Sequence, residues 1–148
     1  MEISPKILQI TDLEARITED RSLGKSLVLC QGHFNIVHPG HLRFFQFAKN
    51  LGDRLVVAVI GNEHLPEEFR SQYFLEQDRL TNVAAMEIVD YVLLLEGALA
   101  IDRVIEKIRP KFWVLGQEFE RERASEVTNE IKALQGVGGQ VIFHSGVV

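Results

Sequence analysis

At 148 residues, with 46% hydrophobic and 25% charged residues, the chain has the length and composition of a single soluble globular domain with a substantial core. Its net charge of −5 argues against general nucleic-acid binding, and its one cysteine, Cys30, excludes a disulfide framework. No apolar run approaches membrane-spanning length and the N-terminus lacks a signal-peptide pattern, so a cytoplasmic protein with no membrane partner is expected.

In chain order, Met1 to Lys25 reads as a leading helix. Ile7 to Ile10 is apolar, Thr11 and Asp12 can cap, Leu13 to Ile17 continues at helical spacing, and Gly24 stops it. Residues 1–25 are therefore read as a helical extension packed on a domain made by residues 26–148. Ser26 to Cys30 is a buried parallel strand, and past His41 the pattern turns helical, with Leu42, Phe45, Ala48 and Leu51 on one face. Arg54 to Ile60 is a second strand after the Gly52-Asp53 turn, which completes a βαβ unit. Leu75 to Ile88 reads as a helix, Tyr91 to Leu95 as a strand, and Ala98 to Ile108 as a helix ended by Pro110. Phe112 to Leu115 is the fourth strand, Ala124 to Gln135 a helix, and Gln140 to Phe143 the last strand. This alternation predicts an α/β fold, a doubly wound parallel sheet with helices on both faces.

The informative stretch is Gly32-His-Phe-Asn-Ile-Val-His-Pro-Gly-His41, between the first strand and its helix. Gly32 allows close backbone approach, Pro39 suits a first helical turn, and the helix start offers unpaired N–H groups with a favourable dipole. His38 and His41, three apart, can lean toward those amides and donate to phosphate oxygens. Two histidines at this spacing are also found as plain surface residues. As metal ligands they lack a Cys or Glu partner nearby, so no metal is expected from the protein.

That stretch resembles the G-x-F-D-x-x-H-x-G-H motif of the cytidylyltransferase-like nucleotidyltransferases, a superfamily that includes glycerol-3-phosphate cytidylyltransferase and the heptose-phosphate adenylyltransferases. The likeness continues through Ala48 to Val59, Leu75 to Arg79, Val89 to Val92, Arg109-Pro110 and Val114 to Gly116. It implies a Rossmann-like sheet of the adenine nucleotide alpha hydrolase-like type. It also implies transfer of AMP or CMP from ATP or CTP to a sugar or polyol phosphate, with Mg2+ carried by the nucleotide and pyrophosphate released. By resemblance His38 and His41 are catalytic, Gly32, His33, Phe34, Asn35 and Gly40 cradle the triphosphate, and Gly116 and Gln117 lie near base and ribose. Arg43, Asn62, Arg70 and Arg79 are the candidate contacts to substrate or phosphate.

The chain departs from the pattern at several places. Asn35 and Asn62 stand where relatives carry Asp, Leu115 stands where Lys is frequent, and the loop that commonly supplies lysine holds Pro66-Glu67-Glu68, with Arg70 the nearest cation. Relatives also continue past the last strand into a Ser/Thr-rich segment, and some continue into a ribokinase-like sugar kinase. A longer natural chain is therefore expected, with nucleotide binding that depends on residues beyond Val148. These departures sustain a rival reading, a weakened nucleotide-binding domain with a regulatory or structural role. A dehydrogenase is disfavoured, since no G-x-G-x-x-G follows the first strand. Val83 to Ile88 reads first as core and second as the contact of a homodimer.

Overall fold

In the computed structural model, which describes residues 3–116 and 128–144, five strands form one parallel sheet. The elements are α1 (Ile10–Ser22), β1 (Leu27–Gly32), α2 (Pro39–Lys49), β2 (Arg54–Ile60), α3 (Glu76–Ala84), β3 (Tyr91–Leu95), α4 (Ile101–Ile108), β4 (Phe112–Gly116), α5 (Thr128–Gly136) and β5 (Gln140–His144). Their order across the sheet is β3-β2-β1-β4-β5. The chain winds outward from β1 to β3, then crosses back to place β4 on the other side of β1. The order reverses between β1 and β4, and open α/β sheets bind ligands outside the strand C-termini at such a point.

Because successive side chains alternate across a strand, each face of the sheet has its own core. Leu27, Leu29, Val56, Ala58, Trp113 and Leu115 pack against α1, α4 and α5. Val28, Cys30, Leu55, Val57, Val59 and Val114 pack against Phe44, Phe45 and Ala48 of α2 and Leu80 and Val83 of α3. Both faces are covered, as the alternating pattern predicted.

The largest differences from the sequence reading are in three helices. The first helix begins only at Ile10, so Thr11 and Asp12 lie inside its first turn. The apolar residues ahead of it run beside the edge strand instead: Leu8 N donates to Val92 O at 2.9 Å and Val92 N to Lys6 O at 2.8 Å. An edge strand offers free N–H and C=O groups, and pairing them outweighs the local helical preference. α3 ends at Ala84 rather than Ile88, and the chain turns through Met86, whose carbonyl accepts from Lys6 Nζ at 2.9 Å. α4 begins at Ile101 and ends on Arg109 in the left-handed conformation (φ 51°), immediately before Pro110. Among the described residues no helix is long and apolar enough to cross a membrane.

At the opposite end of the sheet from the strand C-termini, Asp20 of α1 is buried between Tyr91 and Arg54. The Tyr91 hydroxyl donates to Asp20 Oδ2 at 2.5 Å and Arg54 Nε to Oδ1 at 3.3 Å. Burial, and then the bond to the Asp20 carboxylate, push the Tyr91 pKa up to about 12 from its ordinary 10.0. A raised folded-state pKa contributes stability that is complete below pH 10.0 and lost as pH climbs through about 12. Guanidinium unfolding midpoints are therefore expected to fall more steeply over that window for the wild type than for Tyr91→Phe. Parallel pH profiles of the two proteins would show that Tyr91 is not the titrating group.

Candidate active site

β1 and β4 both run two residues past their last paired rung, Cys30–Val114, to end at Gly32 and Gly116. After Gly32 the chain makes a tight turn. Phe34 adopts the left-handed region at φ 51°, a conformation that stores strain in a residue with a Cβ. Its ring folds back over Gly32, where a Cβ would sit 2.9 Å from Phe34 Cζ, so no larger residue fits while Phe34 keeps this place. The ring is buried and packs at a tilt against Phe45 (5.2 Å), with the edge-on imidazole of His41 at 5.7 Å.

α2 opens with the two histidines capping one another. His38 is the N-cap, in extended backbone, and its Nδ1 accepts from Gly40 N at 3.0 Å. His38 N in turn donates to His41 Nδ1 at 3.2 Å, a reciprocal cap of the Ser-x-x-Glu kind built from imidazoles. The rings lie 4.0 Å apart. Since both Nδ1 atoms accept from backbone amides, this hydrogen-bond network assigns each neutral ring the tautomer with its proton on Nε2. Pro39, with no N–H to satisfy, occupies the first turn, and Gly40 is buried.

The other side of the site is held by Arg79 of α3. Its side chain is fully buried. Nε donates to Phe74 O (3.1 Å), Nη1 to His33 O (2.8 Å) and Ile60 O (2.7 Å), and Nη2 to Asn62 Oδ1 (2.6 Å). One guanidinium thus joins the β1 turn, the end of β2 and the approach to α3. Burial lowers its pKa against the pull of Glu76, yet an arginine keeps its charge under such conditions. The sequence reading placed Arg79 as a contact to substrate. With every nitrogen bonded to protein oxygen and no exposed surface, it acts as a clamp beneath the site instead. The fork of five donors is the physical reason, since no other side chain reaches four oxygens at once.

The remaining candidates are distributed unevenly. Asn35 is tied to the loop before α3: Phe74 N donates to its Oδ1 at 2.7 Å and its Nδ2 approaches Gln72 O at 3.5 Å. Asn62 accepts from Arg79 through its side chain, and its own N–H donates to Glu76 Oε1 at 2.9 Å. Arg70 is exposed and bonds backwards, to Leu65 O (3.1 Å) and Glu63 O (3.0 Å). Arg43 is exposed on α2, two residues after His41. Leu115, where relatives were expected to carry lysine, points into the α1, α4 and α5 core. Gln117 lies outside the described residues.

Gly116 ends β4 at this edge and His33 directly follows β1, while a residue that sequence reasoning passed over lies at the end of β5. His144 pairs with Gly116 at the end of β5 and lays its ring against Phe44 (5.6 Å) and Phe47 (4.8 Å) of α2. It thereby links the β4–β5 end to the helix that carries His41. The last strand in the sequence reading stopped one residue short, and an imidazole at a strand end gave no signal by itself. Among the described residues no group of three or more His, Cys, Asp or Glu side chains is placed to hold a metal ion.

Comparison with known proteins shows the family. The profile described as cytidylyltransferase-like matches residues 29–143. The chain is 30% identical over 136 residues to the bifunctional protein HldE of Campylobacter fetus subsp. fetus, covering 89% of this chain and 29% of that protein. The chain therefore spans less than a third of that relative's length. It is 34% identical over 126 residues to the FAD synthase of Methanosphaerula palustris, covering 80% of this chain and 81% of that one. Among solved structures, the lipopolysaccharide core biosynthesis protein of Thermoplasma volcanium GSS1 superposes with a TM-score of 0.70 at 27% identity, over 84% of this chain and 100% of that chain. A pantoate-beta-alanine ligase from Francisella tularensis, 14% identical with a TM-score of 0.64, shares the fold over 93% of this chain and 66% of that one. With its paired-histidine helix start at the switch point of a parallel sheet, the chain belongs to the cytidylyltransferase-like family of nucleotidyltransferases.

Proposed function

We propose that the chain transfers AMP or CMP from ATP or CTP to the phosphate of a small phosphorylated molecule, a sugar or polyol phosphate, and releases pyrophosphate. The observation that carries this reading is the mutual cap of His38 and His41, which sets two imidazoles at a helix N-terminus with both Nδ1 atoms accepting from backbone amides. An acceptor phosphate oxygen attacks the α-phosphorus, the bond to the bridging oxygen breaks, and negative charge gathers on the departing pyrophosphate. The acceptor is already largely ionised at neutral pH, because a phosphate monoester has its second pKa near ~6. No general base is needed, so the work is alignment and charge stabilisation by fixed donors. Mg2+ would arrive on the triphosphate and neutralise part of its charge. The FAD synthase relative fits the same chemistry, since FAD is a nucleotidyl group joined to a phosphate monoester. The bifunctional relatives fit a longer natural chain that carries a second activity.

The rival reading, nucleotide binding without transfer, draws support from Asn35 and Asn62, whose neutral side chains are bonded into the scaffold. One experiment separates the two. Pyrophosphate release is measured with ATP and with CTP against a panel of sugar and polyol phosphates, beside calorimetry for each nucleotide. Release that depends on both nucleotide and acceptor is expected. Micromolar nucleotide binding with no release from any pair would establish the rival.

A further inference from the structure

His144 is a costly choice of residue for the place it occupies. It ends β5, and by alternation along the strand it shares the α2 face of the sheet with Ile142. Its half-buried ring lies against Phe44 (5.6 Å, planes at 76°) and Phe47 (4.8 Å, planes at 55°). Those residues stand three and six positions past His41 on α2, and helical side chains lean back toward the helix start. A run of ring contacts joins His144 to the cap: Phe44 to Phe45 (6.0 Å), Phe45 to Phe34 (5.2 Å) and Phe34 to His41 (5.7 Å). Both histidines thus belong to one aromatic layer at the C-terminal edge of the sheet. Yet Nδ1 of His144 is buried and meets no hydrogen-bond partner. Against two phenyl rings, phenylalanine would pack as well and leave no polar atom unpaired. A buried nitrogen without a partner lowers stability, and such a group in a native fold calls for a reason.

We infer that His144 is a further nucleotide-binding residue, a third imidazole that hydrogen-bonds an oxygen of the bound nucleotide from the β5 side. This role rests on the nucleotide site proposed above and extends it across the switch point, since His144 pairs with Gly116 at the end of β4. The ring need not leave its seat. A half-turn about the Cβ–Cγ bond exchanges Nδ1 with a carbon, which suits the phenyl surroundings, and turns the nitrogen to the other side. Two oxygens of a nucleotide share the required chemistry. A ribose hydroxyl can donate to the ring or accept from it, and a phosphate oxygen accepts from an imidazole N–H.

The test compares His144→Phe with wild type. Phenylalanine keeps the ring contacts and removes both nitrogens, so the thermal midpoint is expected to rise by roughly 3 °C or more. Calorimetry with α,β-methylene-ATP and α,β-methylene-CTP is expected to show affinity for the preferred nucleotide falling about tenfold or more, the scale of one hydrogen bond to a charged group. The KM of the acceptor in pyrophosphate release should change little. Further ligands identify the oxygen. With a ribose contact, the 2′-deoxy or the 3′-deoxy nucleotide binds wild type and variant alike. With a phosphate contact, inorganic pyrophosphate binds the variant more weakly by the same factor. In the wild type, the ring 15N resonances of His144 are expected to move when the nucleotide is added. Unchanged nucleotide affinity in His144→Phe overturns the inference, and so do immobile 15N resonances with nucleotide bound. A lower midpoint in the variant also overturns it, since the nitrogens would then be serving the fold. His144-dependent nucleotide binding with no release from any acceptor supports the contact and defeats the transfer reading instead. Binding of neither nucleotide by the wild type overturns both.

Discussion

His41→Ala is expected to lower turnover by about 10²–10³, the usual effect of removing one fixed donor from a site where charge develops. The structure separates this loss from a folding defect. On the proposed function the same imidazole has two jobs: Nδ1 accepts from His38 N, and Nε2 serves the triphosphate. Alanine removes both, and a lost helix cap costs about 0.5–2 kcal/mol, which a domain of this size survives. His41→Gln divides the two roles, because glutamine at the third helical position can accept from the N-cap amide as in an ordinary capping box. Thermal unfolding should return most of the way to wild type in His41→Gln while pyrophosphate release stays low. Wild-type turnover in His41→Ala would reduce the pair to a cap and nothing more.

The second large effect is expected at Arg79, and it falls on stability first. Arg79→Met keeps the bulk of the side chain and removes its five donors. The carbonyls of His33, Ile60 and Phe74 and the Asn62 side chain would then lose their partner together, in a place with no exposed surface. Each buried polar group left unpaired costs about 1–3 kcal/mol. Water entering the vacated space would satisfy some of the four, so a loss on the order of 3–5 kcal/mol is expected, as for other broken buried charge networks. For a chain of this length that lowers the thermal midpoint by roughly 10 °C or more. Arg79→Lys should recover little of it, since an ammonium is a point donor that cannot span four oxygens arranged around a planar fork. A lysine variant as stable as wild type would show that charge alone, and not the fork, holds the turn.

The order of elements was legible in the sequence because it rests on burial. Runs such as Leu27 to Cys30 and Leu55 to Val59 are apolar on both faces and can only be inner strands of a covered sheet. The helix start at Pro39 was legible for a local reason, the missing N–H of proline beside residues able to cap. Lys6 to Leu8 was misread because its role is set by a neighbour 80 or more residues away, the unpaired edge at Val92. The site divides along the same line. His38 and His41 are three residues apart, and their mutual cap follows from that spacing. Arg79 is tied to His33 and Ile60 across 46 and 19 residues, and nothing near it in sequence shows whether a cation on α3 points out or in. The neutral residues at 35 and 62 looked like losses of charge when compared with a motif. In three dimensions both serve as hydrogen-bond partners within the protein.

The loop that connects β2 to α3 is suspended almost wholly from main-chain atoms. Arg70 grips the carbonyls of residues 63 and 65, Arg79 those of 33, 60 and 74, and Asn35 the amide of Phe74. Carbonyls and amides are the part of a polypeptide that substitution leaves unchanged. The side chains of Phe69, Tyr73, Phe74 and Leu75 can therefore be exchanged one at a time with the anchoring contacts still in place, so long as Arg70, Arg79 and Asn35 remain. Such a loop is a surface on which new selectivities can be tried, by natural drift or by saturation mutagenesis, without the frame around the β1 turn having to be rebuilt at every step.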